Sequence, residues 1–484
     1  MAVTDEANVS IIDFEFSIYE PIEIKPIKSG TPGFIAPWIN VDSPATKKDD
    51  WYAVTQTIFT MNTLTTPVKG MSNSSKIKLL KYINSNTEPS SFYQAHANIE
   101  IANTFIKEVL NNPQEDWSGP GAAWSLHNGM AGIVQIAALL HMHSPQHNIK
   151  ESTISKYISV LHKSVNSVES QANGLHFGHG GYGLSVFLAG VAWSRDNWLK
   201  KATDIVLKSC ESQLLTPKYF DWTHGSAGLL HTALIIYNHT GDTRFLDLIC
   251  RLEDQLLTNS TYFGKSLFWR SEIGKQHYLG FAHEIAGIGY ALSSSYQITG
   301  NSDARSAVSN IFNTLSATHR NSNWSTSVED GEQQFYWCHG SPGIIHFLIS
   351  ASVWERDALS LANQVATKMN FMNGMPPLCR CHGIISLTAA YQDLYRATEN
   401  KIYHENVCDT LVYINELREP GQTRPGWRGD MYKVDNPSLM TGSLGVAYSI
   451  LQKAYNLPDP ILLREHLPYK NECIDKNNLL LKSH

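Results

Sequence analysis

The chain has 484 residues, 42% of them hydrophobic, enough for two or three ordinary domains or for one large repetitive architecture with an appendage. Its 38 basic and 44 acidic residues leave a net charge of -6 with no long single-sign run, which excludes the basic footprint of a nucleic-acid or anionic-membrane binder. The opening MAVTDEANVS carries acids where a signal peptide needs positive charge, and no stretch reaches the ~20 apolar residues of a membrane span. The expected location is therefore cytoplasmic. Seven cysteines, an odd number in a large chain, favour thiolate chemistry or simple burial over a disulfide framework.

Residues 1–110 form the first segment, with IIDFEFS, SGTPGFIAPW and KKDDWYAVTQTIF in that order. This order resembles the second half of a protein kinase. Asp13, Phe14 and Glu15 stand at the metal-binding turn, and Ala36, Pro37 and Trp38 at the end of the activation segment. The resemblance implies a mainly helical fragment like a kinase C-lobe. A glycine-rich loop, a phosphate-holding strand lysine and a His-Arg-Asp catalytic loop are missing, so kinase activity is not expected from this chain alone.

Residues 111–465 read as one repetitive domain: from about residue 120 to the end one unit recurs seven times, a Gly-x-x-Gly step followed at once by an apolar run. The pairs are Gly129 and Gly132, Gly180 and Gly183, Gly225 and Gly228, Gly340 and Gly343, and Gly442 and Gly445. Two imperfect copies have Glu284 before Gly287 and Gly383 before Ser386. Polar segments between copies, such as ESTISKYISVLHKSV, TRFLDLICRLEDQLL and ARSAVSNIFNTLSA, suit amphipathic helices. Each unit reads as a helix pair, the glycine-led member inside and its partner outside. Seven pairs can close into a double ring, an all-α toroid whose inner helix N-termini, positive dipole ends, meet at one mouth. Residues 466–484 read as a tail.

Just ahead of two repeat glycines, FYWCHGSPG supplies Cys338 and PPLCRCHGII supplies Cys381 and His382. Two thiolates and a neutral imidazole on zinc make a neutral three-ligand site with an open position, the arrangement of a catalytic zinc. Taken singly, each of these residues is ordinary core material. A structural zinc completed by Cys379 or His339 is the alternative reading.

Trp-Cys-x-Gly followed some forty residues later by Cys-His-Gly, with SLMTGSLGVAYSIL near the end, resembles the lanthionine synthetase C-like cyclase family over about residues 112–460. The resemblance implies a double ring of helices, a zinc cofactor (Zn2+) on Cys338, Cys381 and His382, and addition of peptide thiols to dehydroalanine or dehydrobutyrine. GFAHEIAG makes His283 the implied acid–base residue, and FDWTHGSAG makes Asp221 its implied partner; without the family, His283 reads as a core histidine and Asp221 as a helix N-cap. His176, His179 and His224 also fall at repeat mouths and read as pocket lining. Three positions depart from the family pattern: Gln334 stands where an arginine is frequent, His339 where a tyrosine is common, and Glu284 at a motif glycine.

A kinase-like half ahead of a cyclase resembles the three-part lanthipeptide synthetases, and the intact ligand set resembles their class IV type. The implied substrate is a lanthipeptide precursor peptide, dehydrated by a separate lyase or kinase chain or by a part outside this sequence. Rival readings are a glycosidase or terpene cyclase on a similar toroid, for which the mouth offers few acids, and a non-catalytic peptide-binding or scaffolding module.

Overall fold

The computed structural model describes residues 2–3, 9–10, 95–111, 124–166, 172–269, 276–283, 285–331, 333–369, 377–419, 425–430 and 436–467. The kinase-like motifs, Glu284 and most of the expected tail lie outside these residues.

Among the described residues fourteen α-helices alternate between two concentric layers, with three two-stranded hairpins beside them. The inner layer is α2 (Met130–His143), α4 (His179–Ala192), α6 (Ser226–Thr240), α8 (Ile285–Thr299), α10 (Ser341–Ala351), α12 (Ile385–Thr398) and α14 (Ser443–Tyr455). The outer layer is α1 (Ala95–Asn111), α3 (Glu151–Asn166), α5 (Asp196–Leu215), α7 (Thr243–Thr258), α9 (Ser302–Thr318), α11 (Arg356–Ala366) and α13 (Lys401–Glu416). This is the double ring of seven helix pairs.

The division follows from the side chains. In α2 every residue from Met130 to Leu140 is buried, as suits a helix enclosed on all sides. In α7, Phe245, Leu248, Ile249, Leu252 and Leu256 are buried at helical spacing while the opposite face meets solvent. Asp242 starts that helix by accepting the Arg244 N–H at 3.0 Å.

The outer layer is completed by α1, which packs on α14 and α3. The expected boundary near residue 110 thus falls at the end of a helix whose contacts place it with the ring. The second repeat also differs from its expected register. Gly178, not Gly180, precedes the inner helix, and Gly181, not Gly183, takes the buried place, where an added Cβ would stand 1.7 Å from the Leu175 carbonyl oxygen. HGGYG-type sequence offers two interleaved pairs at the same spacing, and only contact with the preceding turn chooses between them.

Seven equivalent turns, one ahead of each inner helix, are joined by a closed circle of backbone hydrogen bonds. The N–H of His127 donates to the carbonyl of His176, His176 to Thr223, Thr223 to Ala282, Ala282 to Cys338, Cys338 to Cys381, Cys381 to Met440, and Met440 back to His127, all at 2.8–3.3 Å. Each turn thereby satisfies buried backbone groups that no helix can reach.

Beneath this circle residues 457–467 enter the bore. The Pro460 carbonyl accepts from Gln135 Nε2 on α2, Asn238 on α6 donates to the His466 carbonyl, and Arg464 lies 5.0 Å above the Tyr290 ring on α8. Arg464 also donates to Asp393 on α12 at 2.7 Å, and Asp393 pairs with His346 on α10 at 2.5 Å. Arg380 pairs with Asp459. His466, which the sequence reading places in the tail, is buried against His239.

Candidate active site at the mouth of the ring

Cys338 and Cys381 occupy the same place in neighbouring turns, linked by the Cys338 N–H to Cys381 carbonyl bond at 3.2 Å, and this register brings their sulfurs together. His382, the next residue, completes a group whose ligand atoms all lie within 4.8 Å of one another. Both cysteines are buried and His382 is partly exposed. Cys379 is fully buried, with its thiol pushed up to about 12 by burial, and stands outside the group, as does His339.

The electrostatics of this trio suit a soft cation. The Cys381 thiol shares its proton with Cys338, so the Cys338 sulfur is held well below the ordinary thiol range and Cys381 well above it. Burial lowers His382, but the Cys338 charge and Asp430 more than offset it and raise the imidazole above its usual value. His382 Nε2 lies 3.2 Å from Asp430 Oδ1, which leaves Nδ1 for the sulfurs. Two cysteine sulfurs, an imidazole and a carboxylate orienting the imidazole form a donor set that fits zinc. Asp430 was not foreseen: it lies in a segment outside the repeats, and RGDMY carries no ligand spacing.

The implied acid–base pair meets as well. Asp221 Oδ2 lies 3.3 Å from His283 Nδ1, although the two are 62 residues apart. Thr223 Oγ1 donates to the Ala282 carbonyl at 2.7 Å and so can accept from the same Nδ1–H, 3.2 Å away. Burial raises the Asp221 carboxyl, yet bonds from His224 and His283 overcome this and hold it far below the carboxylate range. Burial lowers His283, whereas the hydrogen bond and charge of Asp221, with Cys338 beyond, raise it above the ordinary histidine value. The N-cap reading of Asp221 does not hold, because the helix begins at Ser226 with Gly225 as its N-cap and no side-chain capping bond; Asp221 Oδ1 instead accepts the His224 N–H at 2.6 Å and orders the turn ahead of the helix.

His224, left aside as lining, joins this cluster through Nδ1, 3.1 Å from Asp221 Oδ2. Rings from consecutive repeats line the mouth face to face. Phe177 and His224 are 5.0 Å apart at 15°, His224 and His283 5.7 Å at 20°, and His283 and His339 5.4 Å at 31°. His176 and Trp337 stack across the ring at 5.4 Å and 3°, both buried, and floor the cup. His339 is the position where a tyrosine was expected, and it keeps a place in the row of rings. The Gln334 carbonyl accepts from Asn323 Nδ2 at 3.0 Å and abuts Gly340, whose φ of 108° only glycine adopts without strain.

The sequence profile of the family described as lanthionine synthetase C-like protein matches residues 121–461. A curated relative, glutathione S-transferase LANCL1 of Danio rerio, is 22% identical over 407 residues, covering 71% of this chain and 95% of that protein. Among solved structures, nisin cyclase superposes with a TM-score of 0.59 at 18% identity, over 75% of this chain and 96% of its own, a likeness of fold.

Proposed function

Since the chain belongs to the lanthionine synthetase C-like family, we propose that it is a lanthipeptide cyclase, joining peptide cysteine thiols to dehydroalanine or dehydrobutyrine as lanthionine and methyllanthionine thioethers. The observation that carries this reading is the meeting, in four successive repeats, of the Asp221–His283 pair with the Cys338, Cys381 and His382 donor set.

Cys338, Cys381 and His382 would hold the metal, with Asp430 fixing the His382 ring. Bound there, zinc would supply a lowered pKa for a substrate thiol while the two protein thiolates keep that sulfur electron-rich. His283, fixed in its Nδ1–H form by Asp221, presents Nε2 as the base for the thiol proton and, once charged, as the acid for carbon. In the addition a C–S bond forms, the C=C π bond breaks, and the electron pair passes toward the peptide carbonyl before a proton reaches the α-carbon. The positive ends of seven inner helices face that developing negative charge.

The substrate under this reading is a precursor peptide whose serines and threonines have been dehydrated by another chain or part, and the segment ahead of α1, which carries the kinase-like motifs, is a kinase-like segment without catalytic machinery. A second reading, a non-catalytic peptide-binding module, is favoured by Gln334 and His339, which replace side chains the family commonly uses.

The test is the zinc content of the purified full chain, wild type against Cys381→Ala, with free-thiol loss followed using a pre-dehydrated cysteine peptide. Free glutathione with the same dehydrated peptide forms a second arm, because one relative is named for that thiol. About one zinc per chain, lost in the variant together with thiol consumption, is the expected outcome. Zinc without consumption in either arm establishes the binding-module reading, and a folded protein without zinc overturns the mechanism.

A further inference from the structure

The internal repeats show what Asp221 must do and what it does in addition. At the equivalent position of the first repeat, Ser125 Oγ accepts the Asn128 N–H at 3.0 Å, and in the last repeat Ser438 Oγ lies 2.9 Å from Thr441 Oγ1. One oxygen is enough to order such a turn. Asp221 does this with Oδ1 alone, 2.6 Å from the His224 N–H. Its second oxygen faces two imidazoles, His224 Nδ1 at 3.1 Å and His283 Nδ1 at 3.3 Å.

Both rings are held alike. Each points Nδ1 at the same carboxylate, their planes lie within 20° of each other, and their side chains are 25% and 22% exposed. Phe177 braces His224 on its outer face as His339 braces His283. Neither Nε2 has a hydrogen-bond partner among the described residues, so both are available at the mouth. The carboxylate is buried and carries one negative charge, which a single imidazolium neutralises. A neutral cluster therefore holds one acid and one base, and the two rings can exchange those parts.

We propose that His224 is a second acid–base residue of this site, sharing one proton with His283 across Asp221. One neutral ring accepts the thiol proton while the other, charged, delivers a proton to the α-carbon. One S–H and one C=C π bond are consumed, one C–S and one C–H bond are formed, and the cluster ends with its single proton on the opposite ring. This inference rests on the cyclase reading above.

The experiment compares thioether formation by the full chain as wild type, His224→Gln and His224→Ala, each with and without added imidazole, over pH 5–9. Zinc content of each variant reports an intact site. The expected result is a fall in kcat of about 10- to 100-fold for His224→Gln, KM for the peptide within about twofold, loss of one limb of the pH profile, and partial recovery of His224→Ala by imidazole. His224→Gln turning over within about twofold of wild type with the same pH profile overturns the inference and leaves the cyclase reading standing. Wild type that forms no thioether sinks the cyclase reading itself, and this role with it. A second metal ion per chain, lost in His224→Gln, shows the cluster to be a metal site and overturns proton sharing.

Discussion

The Met440 N–H donates to the His127 carbonyl at 3.0 Å, and with this bond the seventh repeat meets the first. The same junction sets Thr441 Oγ1 2.8 Å from Asn128 Oδ1 and packs Leu439 against Gly132. Because each turn hangs on the next, an error of fit in one repeat is passed to both neighbours, and the ring is an all-or-none object.

That tightness is measurable at the repeat glycines. An alanine Cβ at Gly228 would stand 2.1 Å from the Trp222 carbonyl oxygen and 2.7 Å from the Leu175 side chain, so neighbouring repeats must part. Gly241 has a φ of 64° but open space around it. Gly228→Ala is expected to lose about 3 kcal/mol or more, and Gly241→Ala only about 1 kcal/mol of backbone strain. Urea unfolding of the two variants side by side checks the order; equal losses would show that the ring relaxes easily.

Removing the second-layer carboxylate at Asp430 should weaken metal binding without harming the fold. Asp430→Ala is expected to release zinc to a competing chelator at a concentration about 10- to 100-fold lower than wild type, with an unchanged urea midpoint. If its metal affinity matches wild type, the 3.2 Å contact with His382 Nε2 orients nothing.

Arg464 and Asp393 tie the closing segment to the inner ring, with Asp393 and His346 both buried. Arg464→Met leaves the carboxylate with less positive charge in a dry setting and should cost about 3–5 kcal/mol. Asp393→Asn with Arg464→Met together should recover part of that loss, because the uncompensated charge is gone. A double-mutant cycle by chemical denaturation provides the comparison, and strict additivity would contradict direct coupling.

Stability should fall as pH drops from about 7 toward 4. Burial lowers His231 to about 3, and burial with the nearby His239 and His143 lowers His466 to about 4. Unfolded, both imidazoles take up protons as pH falls through about 6.5, whereas the folded chain keeps them neutral over that interval. Protons therefore favour the unfolded chain. Asp221 and Asp393, whose carboxyls are depressed, add a separate loss below about pH 4. Urea midpoints at pH 7.5 and 5.0 should differ, and His231→Gln should narrow the gap; a pH-independent midpoint would contradict the burial of these rings as neutral groups.

The repeat was legible because each copy writes the same local signal, a glycine step and an apolar run, and motifs tied to that step pointed to the residues that meet in space, Cys338 with Cys381 and His382, and His283 with Asp221. What escaped was set by contacts between distant segments. Nothing near His224 says that its Nδ1 shares Asp221 with a ring 59 residues away, and Asp430 reaches His382 from between repeats. Similarly, α1 joins the ring only because α14, more than 300 residues later, needs an outer partner. The Gly178–Gly181 register was hidden by an excess of glycine, for the local pattern fits two frames and the Leu175 carbonyl accepts one.

Residues 457–467 touch six of the seven inner helices and lie in the bore, so the cup has a bottom. A chain of amino acids cannot be passed through this protein as a thread through a bead. Whatever is worked on at the mouth must be dipped in and drawn out on the same side, as a bend or a free end. On the cyclase reading, the order in which successive stretches of one long chain are handled would then be decided outside the ring, by whatever holds that chain between dips.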